Sequence, residues 1–80
     1  MRKHGVSFDE ARSVFTDPLA FTLPDPDHSV DEKRSITIGR SLRQRNLFLA
    51  HADRGADHIR IISSRPATRT EAHAYEESQD

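Results

Sequence analysis

Arginines gather where a strand gives way to a helix. The stretch "HIRIISSRPATRTEAHAY" (58–75) holds Arg60, Arg65 and Arg69, with Glu71 as its only acidic residue. A guanidinium presents a planar fork of N–H donors that fits a phosphate or a carboxylate. The start of a helix adds unpaired backbone N–H groups, which also favour an anion. Just upstream, "AHADRG" supplies His51, Asp53 and Arg54, groups able to transfer a proton or add a cation. Such a set could hold a phosphodiester and cleave it. RNA cleavage needs a base for the 2′-OH proton, cations for the charge that builds on phosphorus, and an acid for the leaving oxygen. The nucleophile lies in the substrate, so the chemistry requires no metal and no other cofactor.

Each of these residues also has a purely structural reading. His51 shares a strand face with Leu47 and Leu49, where a half-buried histidine fits equally well. Tyr75 on an amphipathic helix suits packing, with its hydroxyl at the rim. Asp53 and Arg54 fit the polar edge of a turn, and Glu71 fits a helix cap. "HAD" with His58, and "DPDH", lack the spacing of a metal motif. Composition alone would also allow a small domain that binds some other anionic ligand.

The elements that must position these groups can be read from periodicity. "VSFDEARSVF" is expected as a short helix with a Ser7–Glu10 capping box and a Val6–Ala11 staple. Phe8, Ala11, Val14 and Phe15 recur on one helical face, and Asp17-Pro18 stops it. "LAFTL" (19–23) is a strand candidate, and "PDPDHSVDE" is a polar loop. Three stronger strands follow: "RSITIGRS", "NLFLAHA" and "HIRIISSR", the first two joined by "LRQR". Strict alternation in the last would put Ile59, Ile61, Ser63 and Arg65 on one face, with Arg60 and Ile62 on the other. Thr68 and Glu71 form a second capping box, opening a helix that runs to about Glu77. The expected fold is α+β: an antiparallel β-meander flanked by an N-terminal and a C-terminal helix. Helices should cover one face of the sheet and leave the other for a ligand.

Eighty residues suffice for one domain, 1–80. At that size folding buries only about 60–65% of the surface of the unfolded chain, and a 34% hydrophobic content keeps the core thin. No cysteine is present, which excludes disulfides and thiolate chemistry. No apolar run approaches the roughly 20 residues of a membrane span, and the N-terminus lacks a signal-peptide core. A cytoplasmic protein is expected. The net charge of −1 conceals an asymmetry. Residues 1–33 carry four Lys/Arg against seven Asp/Glu, whereas 34–75 carry eight arginines against three acids.

"RKHGVSFDEARSVFTDP", "PDPDHSVDEKRSITIGRS" and "IRIISSRPATRTEAHAYE" resemble the BrnT toxins of bacterial type II toxin–antitoxin systems, essentially end to end. The resemblance implies a RelE-like fold and a metal-independent ribonuclease that arrests growth. It also implies a partner, a BrnA-like ribbon-helix-helix antitoxin, through which the toxin reaches operator DNA. The family's "H-T-E-R-G" falls on His51 to Gly55, with Asp53 in place of the usual Glu. Its "R-I-I-S-A-R" matches Arg60 to Arg65, with Ser64 in place of Ala. Its "A-T-R-R-E-R---Y-E" matches Ala67 to Glu76, with Thr70, Ala72 and His73 where basic residues are common. The implied catalytic set is His51, Asp53, Arg60, Arg65 and Tyr75, and Arg54 and Arg69 would bind RNA phosphate. Family members usually carry a strand and the start of a helix before "KHGVSF". Either the true start then lies upstream, or this is a shortened member with one strand missing and a sheet edge open. Such a chain could act without catalysis, as an antitoxin-binding co-repressor.

Overall fold

The structure, a computed structural model, describes residues 2–3, 5–25, 34–53 and 59–78. It opens with a two-stranded ribbon, β1 (Arg2–Lys3) against β2 (Val6–Ser7). The turn between them requires a left-handed residue, and Gly5 takes φ 74° there. Helix α1 (Phe8–Ser13) follows, capped by Ser7, whose Oγ accepts the Glu10 N–H at 3.1 Å. A single 3-10 turn (Val14–Thr16) ends it before Asp17-Pro18. The main sheet comprises β3 (Phe21–Pro24), β4 (Arg34–Arg40), β5 (Asn46–Asp53) and β6 (Ile59–Pro66), all antiparallel and in that spatial order. Helix α2 (Arg69–Glu77) closes the chain with a complete Thr68/Glu71 capping box. The α+β architecture matches the expectation from sequence, although β3 begins two residues later and ends one residue later than "LAFTL" suggested. Among the described residues, no helix is long and apolar enough to cross a membrane.

Register defines the two faces of the sheet. Gly39 pairs with Leu47, Thr37 with Leu49, and Ser35 with His51, so these six share one face. Leu47 and Leu49 pack there with Val6, Ala11 and Val14 of the β2–α1 segment to form the sealed core. Gly39 lets the helical segment sit this low. A Cβ at that position would lie 2.6 Å from Ala20 Cβ and 2.9 Å from Val14 Cγ1. The opposite face carries Ile36 and Ile38 of β4 together with Phe48 and Ala50 of β5. The helices therefore do not share a face, as the sequence had suggested. Tyr75 brings α2 down on the α1-free side, at the Arg40 end of β4. Nine helical residues span only about 13 Å, so α2 itself covers only part of that face.

A bulge in β6 is the decisive local feature. Ala50 pairs with Ser63, but His51 pairs with Ile61, which leaves Ile62 as the extra residue. An inserted residue reverses the alternation beyond it. Ile61 turns toward the core, and Arg60, paired with Ala52, joins Ser63 and Arg65 on the α2 face. Strict alternation had put Arg60 and Arg65 on opposite faces. The bulge corrects that expectation.

Candidate functional site

Arg65 lies opposite Phe48 in the β5–β6 register, and its guanidinium stacks 4.0 Å from the ring centroid. Its Nη1 and Nη2 donate to Glu71 Oε1 and Oε2 at 2.8 and 2.9 Å, a two-pronged pair. Nη1 also donates to the Pro66 carbonyl at 3.2 Å. Glu71 Oε1 meanwhile accepts the Thr68 N–H at 2.8 Å, so one carboxylate caps α2 and clamps the arginine. The hydrogen bonds from Arg65 hold the Glu71 carboxyl below its ordinary pKa, against the opposing effect of burial. The same bonds raise the pKa of Arg65. Of the anion binders expected at this junction, Arg65 has thus found a carboxylate within the chain.

Arg60 and Arg69 are placed differently. Arg60 is exposed on the same face as Arg65, and Arg34 flanks Ala52 on the other side. Arg69 is exposed at the first position of α2, two residues before Glu71. Asp53 ends β5 with its backbone paired to Ile59. Its side chain and all of Arg54 lie outside the described residues.

His51 and Tyr75 do not join the arginines around an open cleft. His51 is 3% exposed and sits on the α1 face, across the sheet from Arg60 and Arg65. Its Nε2 shares a 2.7 Å hydrogen bond with Thr37 Oγ1, which in turn bonds Thr22 Oγ1 at 2.7 Å. Phe15 meets the imidazole edge-on, with ring centroids 5.1 Å apart. Tyr75 is 2% exposed, and its hydroxyl donates to Asp17 Oδ2 at 2.6 Å. Burial, reinforced by that carboxylate, raises the phenol pKa.

A family model for "Ribonuclease toxin, BrnT, of type II toxin-antitoxin system" matches residues 1–71. The chain belongs to the BrnT family. It is a ribonuclease toxin by family, and its system implies an antitoxin partner and an RNA substrate. No curated protein matches the chain. The BrnT match takes in Arg60, Arg65, Arg69 and Glu71 and ends before Tyr75.

Three residues that matter in this BrnT chain escaped the reading of the sequence. Asp17 looked only like a helix stop. Yet its Oδ2 takes the Arg40 N–H at 2.8 Å as well as the Tyr75 hydroxyl, and its Oδ1 takes the Leu19 N–H at 2.9 Å. Burial works to raise the pKa of Asp17, but these three donors outweigh it and the net shift is downward. Glu10 looked like a capping-box partner, but its carboxylate turns away to the β4–β5 hairpin. There Ser41 Oγ donates at 2.7 Å and Arg45 Nε at 2.8 Å, with Arg45 Nη2 on the other oxygen. Phe48, read as a strand residue, is the platform under Arg65. Only the Asp before Pro18 carried a local hint, the Asx turn it makes to Leu19.

Proposed function

We propose that this BrnT chain cleaves RNA without a metal ion, by attack of the substrate's own 2′-oxygen. The observation that carries this reading is the β6 bulge, which brings exposed Arg60 and half-buried Arg65 onto one face beside the first turn of α2. In the proposed step the 2′-oxygen gives up its proton and bonds to the adjacent phosphorus, while the 5′-oxygen leaves and takes a proton from solvent water, giving a cyclic phosphate and a free 5′-hydroxyl. Arg65, Arg60 and Arg69 offset the charge that gathers on the phosphate oxygens. Asp53, the last residue of β5, is assigned the 2′-proton on the ground of the resemblance to the BrnT motif. The register puts it on the His51 side of the strand, at the sheet's end, so it would serve the Arg60 face around that end. His51 and Tyr75 act at a distance: one braces β5 through Thr37, and the other ties α2 to Asp17. In a cytoplasmic toxin of this kind, a ribbon-helix-helix antitoxin of BrnA type would silence the activity and carry the complex to operator DNA.

The test is cleavage of a labelled RNA by the purified chain in excess EDTA. Cleavage should persist, and Arg65→Ala should lower it about 100-fold or more. A second reading, antitoxin binding without catalysis, draws on the intramolecular pairing of Arg65 with Glu71. Folded wild-type chain that leaves RNA intact with or without added divalent ions would select it.

A further inference from the structure

A guanidinium carries five N–H donors in one plane. In Arg65 three are committed: both on Nη1, to Glu71 Oε1 and the Pro66 carbonyl, and one on Nη2, to Glu71 Oε2. The two left are the Nε–H and the second Nη2–H, and covalent geometry makes them parallel neighbours along one edge. Neither has a partner among the described residues. Phe48 covers one flat side of the group, and the Arg65 side chain remains 36% exposed. The guanidinium is thus held at its tip and from one side, with a two-pronged edge left without a partner among the described residues. That edge matches two oxygens of a phosphodiester.

We propose that Glu71 is a positioning residue for RNA cleavage, fixing Arg65 so that its free edge grips one backbone phosphate. The inference rests on the ribonuclease reading above. Glu71 does not serve as the base. A carboxylate held ionised by Arg65 and by the Thr68 N–H takes up a proton poorly, and both its oxygens are engaged. Its capping role can be separated from its charge, because glutamine also completes a capping box. Glu71→Gln therefore keeps α2 started while loosening the arginine.

The experiment compares wild type, Glu71→Gln and Arg65→Lys in single-turnover cleavage with EDTA, alongside binding of a 2′-deoxy analogue across a salt series. Glu71→Gln should lose about 100-fold in kcat, the cost of a misplaced group. It should still bind the analogue, with a log–log salt slope steeper by about 0.7, as one charge is unmasked. Arg65→Lys keeps the charge without the fork and should lose cleavage to a similar degree. Unchanged cleavage per folded Glu71→Gln molecule would overturn the proposal and leave the residue a cap. So would full activity in Arg65→Lys. Lost cleavage with an unchanged salt slope and a missing acid limb in the pH profile would make Glu71 the base instead. If folded wild type does not cleave at all, the ribonuclease reading itself fails. An inactive Glu71→Gln beside an active wild type bears on the positioning claim alone.

Discussion

Two glutamate–arginine pairs tie helices to the sheet, and they differ in what they leave free. Glu10 of α1 is 2% exposed and takes Ser41 and two nitrogens of Arg45, while Arg45 Nη2 also donates to the Gly5 carbonyl at 2.9 Å. That pair bolts the helix, the β1–β2 turn and the β4–β5 hairpin into one unit. Glu71 of α2 clamps Arg65 at the surface and leaves one edge of the guanidinium open. The chemistry of the two pairs is the same. Burial of the carboxylate makes the first a structural element, and the unused donors make the second a candidate site. A charge pair marks function here by its spare hydrogen-bonding capacity, not by its presence.

The contrast can be broken most directly at Arg45. Arg45→Ala leaves the buried Glu10 carboxylate without its main partner and should cost more stability than any other change named here. Urea unfolding measures it, and a loss below about 1 kcal/mol would dissolve the distinction. Tyr75→Phe removes one hydrogen bond to a carboxylate and should cost about 1.5–3 kcal/mol in the same assay. Glu71→Gln should cost less than about 1 kcal/mol, because its partner is solvated.

Acid sharpens the comparison. The bonds from Arg45, working against burial, lower the Glu10 pKa from 4.5 to about 2. Its folded value lies below its unfolded one, so this stabilisation is fully present above about pH 4.5 and is lost as pH falls toward 2. Stability measured from pH 6 to 2 should fall along that limb, and Glu10→Gln should flatten it. The smallest effect is expected at exposed Arg60. Arg60→Ala should leave stability within about 0.5 kcal/mol and reduce the salt slope of RNA binding by about 0.7.

Much of the scaffold was legible in the residues. β4 and β5 announced themselves by alternation, and His51 fell on the Leu47–Leu49 face as its spacing required. The Thr68–Glu71 box formed in full, whereas the Ser7–Glu10 box formed only its Ser7 half. The difference lies 35 residues away in Arg45, a partner no local pattern reveals. The β6 bulge was equally hidden, because "IRIISSR" alternates plausibly in either phase.

The chain's own order of residues determined its strands, its helix caps, its BrnT membership and the concentration of arginine near its C-terminal end. These depend on local propensity and short-range spacing, which a linear pattern carries. The fold decided which arginines share a face, which carboxylate each one meets, and which side of the sheet each helix covers. Those outcomes rest on cross-strand register and on the burial of individual donors, quantities that exist only once distant segments are packed together.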